Sequence, residues 1–345
     1  MATKNKPSRK KQPTKKAPTK KAGDIMLCKW QGRFGNRMHQ YAYASTYANK
    51  FNLNLFLPSE WEGDKLFKGC GHKQIADDDL RLKVNQTLPE FDNDDFRKTA
   101  VEEYSKKTKK EMTFFNPYNK KETYFGKKNV WFTDISCYQE EIFKGMSMRF
   151  LSKIFEFKDE IKNLDIYKRL EDRQGTYDIA HLRRDDISNP TYETNFGYSV
   201  VSKNSYEKAF KKFGYDPNKI EWTTDDWSGN WGVGSPEEND WFTRRGGWQY
   251  PVGSEYMQDI GFDWLPDFLR IYFARSVFRA NSSFSFWACQ LGKVKKVFAP
   301  VLHKRNVYSG RKGSGLETDF EYTDSNNPHW LMTTEEECSK IIIPK

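Results

Sequence analysis

The chain contains no long apolar run. Nothing in its 345 residues approaches the roughly 18 consecutive apolar positions of a membrane-spanning helix, and no apolar core of a secretory signal stands near the N-terminus. Cysteine is sparse and odd in number. Cys28, Cys70, Cys137, Cys289 and Cys338 lie far apart, without a CxxC or the Cys/His spacing of a zinc site. The expectation is reduced thiols, a cytoplasmic location and no disulfide framework. Acidic residues are missing from positions 1–22, which hold nine Lys and Arg. Removing those nine charges from the formal net +10 leaves +1, so the remainder of the chain is nearly neutral. The tail repeats PTKKA at Pro13–Ala17 and Pro18–Ala22 and has almost no apolar residues. Residues 1–23 therefore read as a disordered Lys-rich tail that contacts an anionic partner or serves only solubility. Histidine is also scarce; His39, His72, His303 and His329 are isolated, and only His181 lies in a charged cluster.

What is present is aromatic bulk, 16% of the chain, enough for a sizeable core and two ordinary domains. Ile25–Trp30 reads as a strand, Gly32-Arg33-Phe34-Gly35-Asn36 as a turn, the segment to about Lys50 as a helix, and Leu53–Leu57 as a second strand. Met38, Tyr41, Ala42, Ser45 and Ala48 share one helical face. This strand–turn–helix–strand unit opens a doubly wound α/β domain. Residues 59–128 lack periodicity and read as an irregular excursion, 129–133 as a strand, and 150–173 as a helix. The α/β alternation then resumes. Strands are expected at 177–183, 219–224, 277–280 and 296–299, and helices at 205–213, 266–275 and 283–291, with a Trp- and Gly-rich loop over 227–255.

Four constellations carry chemistry. The strand at 177–183 ends in His181-Leu182-Arg183-Arg184-Asp185-Asp186, a charge cluster at the sheet edge where α/β folds bind ligands. Two guanidiniums there suit a diphosphate; an ion-pair network such as Arg183–Asp185 or Arg184–Asp186 is the plain alternative. The glycines of Gly32–Asn36 let backbone amides approach a ligand, and Asn36 can cap the following helix. Asn281-Ser282-Ser283-Phe284 again precedes a helix, giving an anion site or ordinary capping. Thr223-Thr224-Asp225-Asp226 puts two carboxylates at a strand end, suited to turn capping or ribose hydroxyls more than to a metal.

Together and in this order, GRFGN, HLRRDD, TTDD and DFLRIYFARSVFRANSSFSFWACQLG resemble the motifs of the fucosyltransferase superfamily that includes α1,2-, α1,6- and protein O-fucosyltransferases. GRFGN is similar to the N-terminal glycine loop, HLRRDD to the HxRRxD donor motif, and ANSSF to the third motif of the α1,2 enzymes. The chain departs from the α1,2 pattern at Asp185, usually Gly, at Arg37, usually Gln, and at Phe286, usually Trp. The resemblance implies a GT-B-like α/β fold of two Rossmann-like domains facing a cleft. Residues 24–165 would form the acceptor side and 166–345 the donor side. It further implies a GDP-fucose donor, a glycan acceptor, inversion at the anomeric carbon, and neither cofactor nor required metal.

By motif position, Arg183 would hold the diphosphate, and His181 with Asp267 the guanine. Asp225 and Asp226 would lie near the nucleotide. Asn281, Ser282, Ser283 and Phe284 would line the phosphate site, with Arg184 and Asp186 completing the donor motif. Arg33, Phe34, Gly35 and Asn36 would close over the donor from the other domain. A preorganised Arg stabilises charge building on the leaving phosphate, and Glu193, ten residues beyond Arg183, is the nearest acid able to act as base. The alternatives are transfer from another nucleotide sugar, or a non-catalytic sugar- or nucleotide-binding protein with a basic interaction tail.

Overall fold

The computed structural model describes residues 22–27, 30, 33–57, 61–70, 73–74, 102, 105–106, 109, 113–115, 130–132, 146–183, 200–224, 262, 264–301 and 317–326. Two five-stranded sheets organise them. The first contains β1 (Asp24–Leu27), β2 (Asn54–Leu57), β3 (Lys73–Gln74), β4 (Thr113–Phe115) and β5 (Val130–Phe132), all parallel, in the order β3-β2-β1-β5-β4. Between β1 and β2 runs α1 (Phe34–Phe51), ended by Asn52 in the left-handed region at φ 53°. The expected amphipathic stripe is too narrow a description of α1. Tyr43, Ala44 and Tyr47 are buried as well as Met38, Tyr41 and Ala42, because the helix Ser283–Leu291 of the second unit also packs against it.

Two sequence expectations are corrected here. The stretch 59–128 is not simply an excursion: it supplies both edge strands, β3 and β4, and a short helix α2 (Glu62–Leu66). Trp61, Leu66 and Phe67 from the same stretch are buried in the core. Nor is 150–173 a single helix. It forms α3 (Met148–Ile154), α4 (Asp159–Lys162) and α5 (Asp165–Asp172), interrupted where Phe157 makes an antiparallel bridge to Phe67. Phe155 and Phe157 are both buried against Phe67, and continuing the helix would pull them off that ring.

The second unit contains β6 (Asp178–Leu182), β7 (Val200–Val201), α6 (Lys203–Phe213), β8 (Ile220–Thr224), α7 (Leu265–Phe273), β9 (Ser276–Phe278), α8 (Ser283–Leu291), β10 (Lys296–Val301), β11 (Glu317–Thr318) and β12 (Glu321–Thr323). Its sheet runs β12-β10-β9-β6-β8, parallel except for the β10–β12 pair, while β7 and β11 form a separate parallel pair. Strand alternation divides the sheet's faces. Ala180, Leu182 and Trp222 pack toward α6, whereas Ile179 joins the core shared with α1, α7 and α8. This is the pair of Rossmann-like units expected for a GT-B-like fold. The units meet through α1 and α8, and one apolar core runs from Ile25 and Leu27 to Val277, Trp287 and Val301. Among the described residues, no helix is long and apolar enough to cross a membrane.

Candidate functional site

Each unit sends a helix N-terminus to the same place. After β1 the chain turns into α1, and after β9 it turns into α8, so both starts lie at carboxyl edges of parallel strands. The two starts touch. A Cβ built on Gly35 would fall 2.5 Å from the Phe284 amide nitrogen and 2.6 Å from Ser283 Oγ. Ser283 Oγ donates to Asn36 Oδ1 at 2.6 Å, joining residues 247 positions apart. Asn36 is therefore not the helix cap expected from sequence. Arg33 holds the N-cap position and makes no side-chain capping bond, while the Asn36 side chain is committed to Ser283. At α8, Ser282 is the cap, its Oγ accepting from the Phe284 amide at 3.2 Å. Phe34 is 3% exposed, its ring stacked 4.2 Å from Trp264 and edge-on to Phe268. Two macrodipole ends at one spot favour negative charge there.

The strand β6 delivers the second component. In the register with β8, His181 faces Thr223, so both side chains lie on one sheet face. The His181 backbone carbonyl accepts from Tyr206 Oη at 2.6 Å, which fixes the strand end. Its ring is buried, 5.8 Å from Phe284, and Nδ1 has no hydrogen-bond partner among the described residues. Burial, and then the positive charges of Arg183, Arg279 and Arg33, push the imidazole down to about 3. The ring is thus neutral near pH 7, leaving one nitrogen to donate and one to accept.

That burial has a pH consequence. Above pH 6.5, the ordinary value, folded and unfolded His181 are both neutral. Between 6.5 and about 3 only the unfolded chain takes up the proton, so stability falls as pH drops through this window. Going from pH 7 to pH 5 should cost about 2 kcal/mol through this group. His181→Asn should lose less stability than wild type by that amount, read as urea midpoints at the two pH values. Equal losses in both proteins would contradict a ring held neutral by the fold.

Arg183, half-buried just beyond β6, donates from Nη1 to the Asn281 carbonyl at 3.5 Å and so lies beside the start of α8. Arg279 was not singled out from sequence. It is 3% exposed, donates to Asn326 Oδ1 at 2.8 Å and the Ser282 carbonyl at 3.1 Å, and lies over the Phe286 ring. Burial lowers its guanidinium to about 10. The available signal was an arginine set among apolar residues in Val277-Phe278-Arg279-Ala280. Asp267, in the first turn of α7, is buried. Its Oδ1 accepts from Thr223 Oγ1 and lies 3.7 Å from Arg270 Nη1.

The structure thus brings together Arg33, Gly35, Asn36, His181, Arg183, Asp267, Asn281, Ser282, Ser283 and Phe284 around the meeting helix ends and the adjoining edge of β6 and β8, with Phe34 in the aromatic packing beneath. Arg184, Asp186, Glu193, Asp225 and Asp226, and with them the Trp-rich loop, lie outside the described residues. Among the described residues, no three of His, Cys, Asp and Glu gather as a metal site would require.

No family model matches the chain, and no curated protein matches it. Solved structures do. The chain is similar to the fucosyltransferase NodZ from Bradyrhizobium at 16% identity, covering 81% of this chain and 96% of that one with a TM-score of 0.41. It is similar to POFUT1 in complex with GDP at 12% identity, covering 82% and 98%, with a TM-score of 0.42. Arabidopsis thaliana FUT1 in complex with GDP matches at 12% identity over 88% and 74%, TM-score 0.47. At these identities the likeness is one of fold.

Proposed function

We propose that the protein is an inverting glycosyltransferase that moves fucose from GDP-fucose to a hydroxyl of a glycan, without a required metal. The observation that carries this reading is the contact of Gly35 and Asn36 with Ser283 and Phe284, beside Arg183. Two helix N-termini and a guanidinium at the carboxyl edges of parallel strands from two sheets suit a diphosphate. We assign residues 24–165 to the acceptor side and 166–345 to the donor side, and on the third motif we take the enzyme to be α1,2-like.

In the reaction the acceptor oxygen attacks the anomeric carbon from the face opposite the diphosphate. That bond forms as the bond to the phosphate oxygen breaks, and GDP departs with the electron pair. Charge grows on the leaving oxygen, where Arg183 and the amides of α1 and α8 offer fixed positive potential. His181 and Asp267 take the nucleobase, Asp225 and Asp226 the ribose side, and Glu193 accepts the acceptor's proton. Arg33, exposed on the acceptor-side unit, adds a second cation near the phosphates.

The test is a mass-spectrometric transfer assay with the full chain, GDP-sugars and other nucleotide sugars, and a set of simple glycosides, with and without chelator. Fucosylated product in both conditions is the expected result. Product from a different nucleotide sugar would reject the donor. Product lost in chelator would reject the metal-free route.

A further inference from the structure

Thr223 is assigned nothing by the reading above, yet its hydroxyl is the neutral group that holds Asp267. It is 1% exposed and lies in register with His181, so the two side chains leave the same face of the sheet. Its Oγ1 donates to Asp267 Oδ1, from β8 to the first turn of α7. Arg270, one turn further along α7 and 1% exposed, approaches the same oxygen at 3.7 Å from Nη1. Arg270 is itself anchored: its Nη2 lies 3.4 Å from Glu221 Oε2, and Glu221 Oε1 pairs with Arg173. The Arg270 carbonyl accepts from Tyr177 Oη at 2.6 Å. The Asp267 carboxylate is therefore held from β8 by a hydroxyl and from within α7 by a braced cation. A carboxylate has about four lone-pair positions on its two oxygens. The bond from Thr223 fixes the plane in which they point.

We infer that Thr223 is a positioning residue for nucleobase selection, orienting Asp267 beside His181 for a purine edge that carries two adjacent N–H donors. The inference rests on the reading of Asp267 and His181 as the nucleobase contacts. Guanine presents such an edge through its ring N–H and exocyclic amine. Hypoxanthine presents only the ring N–H, and adenine offers an unprotonated ring nitrogen. A carboxylate fixed in one plane gains both bonds from guanine, whereas one free to rotate gains little more from guanine than from hypoxanthine. The hydroxyl thus governs the difference between two bases, beyond holding a strand to a helix.

Isothermal titration of the full chain with GDP, inosine diphosphate and ADP tests this, on wild type, Thr223→Val and Thr223→Ser. Wild type should bind GDP about tenfold more tightly than inosine diphosphate. Thr223→Val keeps the shape and loses the donor. It should weaken GDP about tenfold while inosine diphosphate changes by no more than about threefold, so the preference collapses. Thr223→Ser should restore it. Thermal unfolding of each variant accompanies the titrations, and Thr223→Ala replaces the valine variant if that protein does not fold. GDP and inosine diphosphate weakened equally, or an unchanged preference in the valine variant, would show a purely structural contact and overturn the inference. Wild type that binds both inosine and guanosine diphosphates equally would also overturn it while leaving the transferase reading in place. Wild type that binds none of the three would remove the donor reading itself.

Discussion

Arg183→Ala should lower kcat roughly a hundred- to a thousandfold, the range found when a single donor to a developing oxyanion is removed. The side chain continues the face of β6 that carries Ile179 and His181, and its Nη1 donates to the Asn281 carbonyl at the start of α8. At 3.5 Å that bond is long and adds little to stability. Half-buried past the strand end and outside the apolar core, the side chain can be removed without opening a core cavity, and the thermal midpoint should stay within a few degrees of wild type. Arg183→Lys separates charge from geometry. An ammonium restores a positive potential but not the planar fork, so turnover should recover only in part. Steady-state kinetics with GDP-fucose, together with GDP affinity, checks both variants. Turnover by the alanine variant within threefold of wild type would remove Arg183 from the chemistry.

Gly35→Ala should lower both stability and activity, although helix propensity alone argues for the opposite sign. In an exposed helix interior, glycine to alanine gains about 1 kcal/mol. At position 35, however, the new methyl would lie 2.5 Å from the Phe284 nitrogen and 2.7 Å from the Ser283 carbonyl carbon. Backbone cannot swing aside as a long side chain can, so the two helix starts must separate. Overpacking of this kind costs about 1–3 kcal/mol, enough to cancel or exceed the propensity gain. Separation also strains the 2.6 Å Ser283–Asn36 bond and widens the place where the two dipole ends converge. A lower thermal midpoint with weaker GDP binding is the expected pair of results. A raised midpoint with unchanged binding would mean that the two units have slack at this contact.

The first strand–turn–helix–strand unit was legible because apolar runs bounded by glycine and proline leave few alternatives. The start of α8 was legible too: Asn281-Ser282-Ser283 before an apolar segment is a capping pattern, and Ser282 is the cap. The edge strands β3 and β4 were not, since two or three residues are too few to show a period of two. The break between α3 and α4 was hidden for a different reason. Phe155 and Phe157 fit a helical pattern, and only the distant partner Phe67 chooses the bridge. At the site, the Asn36–Ser283 and Thr223–Asp267 pairs join residues 247 and 44 positions apart. Local spacing names such residues without saying which will meet.

That 247-residue separation also bears on synthesis. At about 5–20 residues per second, roughly 12–50 s pass between the emergence of Asn36 and that of Ser283. During that interval the face of α1 that finally receives Phe286 and Trp287 against His39 has nothing to cover it. The N-terminal sheet is thus born as half of a core, completed only when the last fifth of the polypeptide arrives.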